Sequence, residues 1–287
     1  MDIELVNKIK RLAIVALASD DELIETIVLK GGNAIDFAFN DTQSLSRTSY
    51  DLDFSIEGGD FNEDVEVIGE RIKRTLDQTF LENNFIIIDY KFISKPKNVA
   101  VTVADFWGGY KVTFKVVDKD KYNDARNIDA QRRAAISIKP DNSPTFEIEF
   151  SKHEYVGKKE QIAVDGFKIF VYAPEMIVFE KLRAICQQLP QYHDIIKSHS
   201  PRPRARDFYD IHLMMNLFDI DINSEDNRQL IKNVFSAKRV PLDFIKEIKN
   251  NKSIHSNNWE SVKDTISQKE RIHEFDFYFE YVVKLVE

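Results

Sequence analysis

Two aspartates separated by one residue, Asp51 and Asp53, have the spacing best suited to chemistry in this chain. They begin the segment 51–56, where polar and apolar residues alternate as in a half-buried strand, so both carboxylates lie on one face. Neighbouring carboxylates repel each other unless a cation lies between them, and hard oxygen ligands of this kind suit Mg²⁺. The alternative for a lone Asp-x-Asp is the solvated face of an edge strand.

A second motif precedes the aspartates. Gly31 and Gly32 separate a predicted strand over 25–29 from a predicted helix over 33–39, with Asn33 near the helix N-cap. A strand–Gly-Gly–helix arrangement directs backbone N–H groups and a helix N-terminus towards an anion, which suits phosphate. A phosphate cradle followed by a metal-binding Asp-x-Asp indicates a two-metal phosphoryl or nucleotidyl transfer site.

The two motifs together resemble the first motif of the DNA polymerase β-like nucleotidyltransferase superfamily. The wording of segments 29–34 and 47–55, Leu-Lys-Gly-Gly-Asn-Ala and Arg-x-Ser-x-Asp-Leu-Asp-Phe-Ser, is most similar to one branch. That branch is the AbiEii/AbiGii toxin family, nucleotidyltransferase toxins of type IV toxin–antitoxin and abortive-infection systems.

The resemblance implies a third carboxylate on a later strand. Glu147 and Glu149 are the candidates, because both lie on one face of the alternating segment 145–150. We favour Glu149, whose context Ile-Glu-Phe-Ser matches the family better, and Glu147 stays open. The implied metal ligands are therefore Asp51, Asp53 and Glu149, with Mg²⁺ as cofactor.

The family also carries a helix with Glu-Lys-x-x-Ala, found here at 180–184, and the motif Arg-Asp-x-x-Asp. The resemblance implies that Lys181 grips the triphosphate and that Arg206 contacts phosphate. Asp207 and Asp210 lie three positions apart on a predicted helix and are therefore neighbours. Asp207 would order Lys181 or assist in accepting a proton. The alternative for this motif is a structural Arg–Asp pair at a helix start.

The implied activity is Mg²⁺-dependent transfer of a nucleoside monophosphate from an NTP to an acceptor. Catalytic roles fall to Asp51, Asp53, Lys181 and Asp207. The residues expected to bind nucleotide are Gly31, Gly32, Asn33, Lys181, Arg206 and Asp210. The family implies an RNA acceptor, such as a tRNA 3′ end, and an antitoxin encoded nearby that need not touch the protein. Two alternatives remain: a protein or small-molecule acceptor, and a non-catalytic nucleotide-binding module on the same fold.

The segment 181–206 is basic within an acidic protein, with six lysines and arginines and one acid, Asp194. Such a segment could track a phosphate backbone, while Tyr192, His193 and His199 could stack on unpaired bases. The alternative is an ordinary solvated basic loop.

The 287 residues are 43% hydrophobic and 31% charged, with net charge −8, so they can bury a sizeable core under a soluble surface. A single cysteine, Cys186, favours a reducing, cytoplasmic compartment, and no apolar run is long enough to span a membrane. The order of elements predicts an α+β fold. The resemblance makes residues 1–172 a polymerase β-like nucleotidyltransferase domain with a mixed β-sheet and flanking helices. A helical domain over 173–287 would contribute Lys181 and the Arg-Asp-x-x-Asp motif.

Periodicity predicts the elements that position these residues. Helices are expected over 2–18, 62–84 and from Pro174 onward with breaks at 190–203, 219–224, Pro241 and 251–258; further strands over 85–88, 99–103, 112–117 and 145–150; a hairpin turn at Asp165-Gly166; and a polar loop over 40–50.

Overall fold

The computed structural model describes residues 2–38, 49–266 and 271–287. The polar loop expected over 40–50 therefore lies outside the described residues, except for Ser49 and Tyr50. The strands are β1 (Ile27–Lys30), β2 (Leu52–Ile56), β3 (Phe85–Lys95), β4 (Gly109–Asp118), β5 (Thr145–Ser151), β6 (Lys159–Val164) and β7 (Phe167–Tyr172).

These seven strands of the described residues form one mixed sheet in the order β3-β4-β5-β2-β1-β7-β6. β2 runs parallel to β5 and β1 parallel to β7, whereas β4 is antiparallel to both β3 and β5. The β6–β7 hairpin turns at Asp165 and Gly166, both with positive φ, as expected for the Asp-Gly pair. The α+β class and the mixed sheet predicted from the sequence are confirmed.

The helices are α1 (Ile3–Ala18), α2 (Asp21–Thr26), α3 (Gly31–Ala38), α4 (Val65–Glu82), α5 (Lys119–Asp124), α6 (Ile128–Arg133), α7 (Pro174–Cys186), α8 (Ala205–Leu217), α9 (Glu225–Ser236), α10 (Phe244–Glu247), α11 (Lys252–Ser256), α12 (Trp259–Lys263) and α13 (Phe275–Val286). The long helices α1 and α4 confirm the predictions made from their apolar faces, and α7 confirms the helix predicted from Pro174 onward. None of the helices within the described ranges is long and apolar enough to cross a membrane.

Four local predictions differ from the structure. Residues 25 and 26 belong to α2 rather than to a strand, because the Asp20 carboxylate caps that helix by accepting from the Leu23 backbone N–H at 3.0 Å. α3 begins at Gly31, two residues earlier than expected. The apolar segment 99–103 holds a 3₁₀ turn instead of a strand, with Val101 almost fully exposed. The predicted break at 251–258 contains α11.

The chain divides into two compact units: unit 1 comprises Met1–Leu29, Tyr50–His153 and Gln161–Val171, and unit 2 comprises Lys30–Ser49, Glu154–Glu160 and Tyr172–Glu287. In unit 1 the apolar face of the sheet forms the core. Phe54 of β2 stacks on Phe150 of β5 with ring centroids 5.6 Å apart, and Phe80 of α4 packs edge-on against Phe114 of β4 at 5.7 Å. This packing leaves the opposite, polar face of β4, β5 and β2 available for chemistry.

Unit 2 is built mainly from helices. Phe208 of α8 packs against Phe275 and Phe279 of α13, with ring centroids 5.3 and 5.5 Å apart. Cys186, at the end of α7, is fully buried, so the sole cysteine of the chain is a packing residue. Because α7 and α8 pack against each other, the side chains of the Glu-Lys-x-x-Ala and Arg-Asp-x-x-Asp motifs can meet.

Candidate active site

The polar face of β2 and β5 carries the first group of predicted site residues, which belongs to unit 1. The parallel register places Asp53 directly opposite Glu149, with the buried pair Leu52 and Ile148 one step before them. Side chains directly opposite in neighbouring strands lie close together. The register thus brings the second aspartate of the Asp-x-Asp motif to the glutamate favoured from the sequence.

Lys139 connects the other two acids of this face. Its ammonium lies 3.0 Å from a carboxylate oxygen of Asp51 and 3.2 Å from one of Glu147, and its side chain is 21% exposed. Burial alone would lower the pKa of Lys139, but the hydrogen bonds and attraction of Asp51 and Glu147 outweigh it and raise the pKa. Lys139 therefore remains a cation between two carboxylates.

Two more lysines, Lys111 and Lys95, lie beside the glutamates of β5. Lys111 of β4 pairs closely with Glu147 and lies 3.4 Å from Glu149, which Lys95 of β3 also contacts closely. Burial would raise the pKa of Glu147, but Lys111 and Lys139 lower it on balance. Glu147 is consequently held as a carboxylate by the ammonium groups of Lys111 and Lys139.

The donor set of this face suits a divalent cation chemically, since Asp51, Asp53 and Glu149 offer only carboxylate oxygens. Throughout the part of the chain that the structure describes, no three His, Cys, Asp or Glu side chains are gathered closely enough to hold a metal ion. A cation that binds Asp51 has to compete with Lys139 for its oxygen, and one that binds Glu149 has to compete with Lys95 and Lys111.

The Gly-Gly motif lies at the junction of β1 and α3. Gly31 has a φ of 70°, a left-handed conformation that glycine adopts without steric cost, and it is followed at once by the helical residues Gly32 and Asn33, both buried. The first N–H groups of a helix have no partner within it. Residues 31–33 therefore carry the type of backbone donor that the phosphate-cradle prediction requires.

The second group of predicted side chains meets inside unit 2. The Lys181 ammonium of α7 lies 2.6 Å from an oxygen of Asp210 and 3.2 Å from one of Asp207, both on α8. All three side chains are at least 96% buried. Asp207 also accepts from the Arg204 guanidinium at 3.4 Å. The structure thus brings together the lysine and both aspartates of the two motifs.

The arginine at this cluster is Arg204, whereas Arg206 is exposed to solvent. In the sequence, Arg204 stands out only as one charge of the basic segment, because the family motif places its arginine directly before the aspartate. Its position three residues before Asp207, at the start of a predicted helix, is the feature from which this pair could have been predicted, because residues three apart on a helix are neighbours.

Parts of the predicted basic surface are in fact interior. Lys181 and Arg183 are buried, and Tyr192 is fully buried, with its hydroxyl donating to the Lys238 carbonyl at 2.7 Å. The prediction that Tyr192 stacks on a base is therefore wrong, because its ring has no access to solvent.

A buried charge cluster formed by Lys30, Glu154, Arg183 and Lys238 was not anticipated from the sequence. Glu154 lies 3.3 Å from Arg183, 3.4 Å from Lys30 and 3.6 Å from Lys238, and each of these side chains is less than a tenth exposed. Burial would raise the pKa of Glu154, but the three cations lower it. Burial also lowers the pKa of Lys238 to about 8, against the attraction of Glu154. Lys30 directly precedes Gly31, so this cluster anchors the start of the Gly-Gly motif.

A comparison with protein families identifies the family of the chain. The sequence model of the family of nucleotidyl transferase AbiEii toxins, of type IV toxin–antitoxin systems, matches residues 13–281. The chain belongs to the AbiEii family. AbiEii membership makes it a nucleotidyltransferase toxin, and the type IV system implies a cognate antitoxin. No curated protein matches this chain.

Two solved structures are similar to this AbiEii protein. A candidate nucleotidyltransferase from H. pylori shares 20% identity, with a TM-score of 0.50 over 98% of this chain and 92% of that chain. JHP933 from Helicobacter pylori also shares 20% identity, with a TM-score of 0.49 over 98% of this chain and 89% of that chain. The first of these likenesses shows that the chain has a nucleotidyltransferase fold, as the sequence predicted.

Proposed function

We propose that this AbiEii protein transfers a nucleoside monophosphate from an NTP to an RNA acceptor, such as a tRNA 3′ end, with Mg²⁺ as cofactor. The observation that carries the proposal is the pairing of Asp53 with Glu149 across β2 and β5, in a chain whose family is that of nucleotidyl transferases. Asp51 completes the proposed metal ligands, and Mg²⁺ supplies charge stabilisation at the reacting phosphate when it is bound.

The remaining residues act on the phosphates. The backbone N–H groups of Gly31, Gly32 and Asn33 orient the phosphate oxygens, because the donors at a helix N-terminus favour anions. Lys181 neutralises phosphate charge as a point cation.

The helix α8 supplies the other proposed side chains. Asp207 and Asp210 hold the Lys181 ammonium, Asp207 also assists in accepting a proton, and Arg206 contacts phosphate. The acceptor hydroxyl attacks the α-phosphate in line and pyrophosphate leaves, with positioning and electrostatics providing most of the catalysis.

The proposed division of labour follows two segments of the chain. Residues 1–172 supply the carboxylates and the Gly-Gly motif, and residues 173–287 supply Lys181 and the Arg-Asp-x-x-Asp motif. The antitoxin encoded nearby need not contact either segment.

Label transfer tests the chemistry and the acceptor together. The protein is incubated with total tRNA, Mg²⁺ and each α-labelled NTP in turn, beside Asp51→Asn/Asp53→Asn. Asp129→Asn serves as the matched control, because that carboxylate is 72% exposed and lies outside the site. Label on RNA that the double variant loses and the control keeps supports the proposal. Label on a protein or small molecule of a lysate moves the acceptor, and no transfer at all favours a nucleotide-binding module.

The exposed part of the basic segment is the proposed RNA contact. Lys197 is 72% exposed, and Arg202 and Arg206 are exposed as well. Lys246 is a close match to Lys197, because each forms an exposed pair with an aspartate three residues earlier, at 3.1 and 3.0 Å. We expect Lys197→Gln, but not Lys246→Gln, to reduce the salt slope of tRNA binding by about 0.7–0.9. Equal slopes for both variants would count against this surface.

A further inference from the structure

A short turn after α6 fixes the position of Lys139. The Ile136 N–H donates to the Val116 carbonyl of β4 at 2.8 Å, and Ile138 is fully buried. The backbone N–H groups of Ile138 and Lys139 both donate to the Ser143 carbonyl, at 2.9 and 3.2 Å. These hydrogen bonds fix the backbone of Lys139 relative to the sheet. The position of its side chain beside the carboxylates is therefore better defined than that of a lysine on a loose surface loop.

The Lys139 ammonium is placed between two carboxylates that belong to different elements. Its distances of 3.0 Å to Asp51 and 3.2 Å to Glu147 make it the bridge between the residue that precedes β2 and the middle of β5. Asp51 is one of the proposed metal ligands. A divalent cation bound to the same Asp51 oxygen would lie within a few ångströms of the ammonium, and like charges at that separation repel strongly.

We propose that Lys139 is an internal counter-ion of Asp51 which a divalent cation has to displace, so that Lys139 sets the metal affinity of the site. This inference rests on the proposed function, because it takes Asp51, Asp53 and Glu149 as the metal ligands. While Lys139 is in place, its positive charge compensates the Asp51 carboxylate, as a bound metal ion would. When a metal binds, the ammonium keeps Glu147 as a partner, so its release from Asp51 does not leave it without a counter-charge.

Lys115 provides the matched comparison. It lies on β4 four residues after Lys111 and on the same polar face of the sheet as Lys111. Its side chain is 24% exposed, close to the 21% of Lys139. Its ammonium lies 2.9 Å from Asp89, which is not among the proposed ligands. Removal of Lys115 therefore changes the charge of unit 1 equally without freeing Asp51.

Equilibrium titration of the full chain with Mn²⁺, in the absence of nucleotide, tests the inference. Binding is measured by calorimetry and by the electron paramagnetic resonance signal of free Mn²⁺. We expect Lys139→Met to bind Mn²⁺ about tenfold more tightly than the wild type, because the competing charge is gone. Lys139→Arg keeps the charge and should stay within about twofold, and Lys115→Met should match the wild type.

Unchanged or weaker Mn²⁺ binding by Lys139→Met overturns the inference, and so does equal tightening by Lys115→Met. A variant with a damaged fold would bind more weakly, so tightening is not a consequence of structural loss. Absence of Mn²⁺ binding in all variants also overturns it. The label-transfer assay on the same preparations then reports separately on the proposed function, which stands if the wild type transfers label in the presence of Mg²⁺.

Discussion

The Lys181 ammonium and the Asp210 carboxylate lie 2.6 Å apart in the interior of unit 2, with both side chains almost inaccessible to water. An ion pair of this kind pays a desolvation cost that its attraction must offset. Its presence in the interior is therefore weak evidence for a purely stabilising role.

Removal of one partner of the buried pair should destabilise the protein, because the other charge stays in the interior. We expect Asp210→Asn to lower the free energy of unfolding by about 3 kcal/mol, the low end for a broken buried pair, since Asp207 remains 3.2 Å from Lys181. The double variant Lys181→Met/Asp210→Asn should recover much of this loss in urea unfolding but none of the nucleotidyl transfer. Recovery of transfer in the double variant would contradict a role of Lys181 in phosphate binding.

The two glutamates of β5 should differ in their effect on activity. Loss of a residue that only supports a metal ligand costs about 10- to 100-fold in activity. Glu149→Gln removes a proposed ligand itself, opposite Asp53, so we expect it to reduce transfer by more than that. Glu147→Gln should cost about tenfold or less, since it only loosens Lys139 and Lys111. The measurement is kcat against Mg²⁺ concentration for both variants. A reversed order would assign the third carboxylate to Glu147.

The cluster of Lys30, Glu154, Arg183 and Lys238 should depend on its acid. Glu154→Gln leaves three buried cations with reduced compensation, so the free energy of unfolding should fall by about 3 kcal/mol. Lys238→Met added to Glu154→Gln removes one excess charge and should restore part of that loss. Chemical unfolding of these two variants and of Lys238→Met alone, at one pH, measures the coupling, and additive losses would show that Glu154 does not act through these cations.

His255 should make the protein less stable in mild acid. Burial lowers the pKa of this fully buried imidazole to about 4, below its ordinary value near 6.5. Between these pH values the unfolded chain binds a proton that the folded protein resists, so stability falls as pH falls through this window. The contribution between pH 7 and 5 is about 2 kcal/mol.

Urea unfolding at these two pH values should show that His255→Leu lacks this component of the pH dependence. The exposed His193 offers the comparison variant His193→Asn, which leaves the buried imidazole of His255 in place. Identical pH profiles for wild type and His255→Leu would contradict the assignment.

Patterns local to one segment were predictable from the sequence. The alternation over 145–150 gave β5 and its polar face correctly, and Asp165-Gly166 gave a hairpin turn, because both depend on neighbouring residues alone. The failure at 99–103 has the opposite cause. β-branched residues favour strands only where a neighbouring strand and a buried face receive them, and Val101 has neither.

The partners of the site charges were beyond sequence reasoning. Lys139 reaches Asp51 across 88 positions of the chain, and Glu154 gathers Lys30 and Lys238 from segments more than 80 residues away. Such contacts follow from the order of strands in the sheet and from helix packing, which no local pattern specifies. Arg206 shows the same limit, because a motif identifies the residue type but not the direction of its side chain.

The burial of Cys186 has a practical consequence for work on this toxin in solution. Burial also raises the pKa of its thiol, so the reactive thiolate is scarce at neutral pH. A cysteine introduced at an exposed position, such as that of Lys246, would be the only thiol that a maleimide dye can reach in the folded protein. Single-site fluorescent labelling therefore requires no change to the native core.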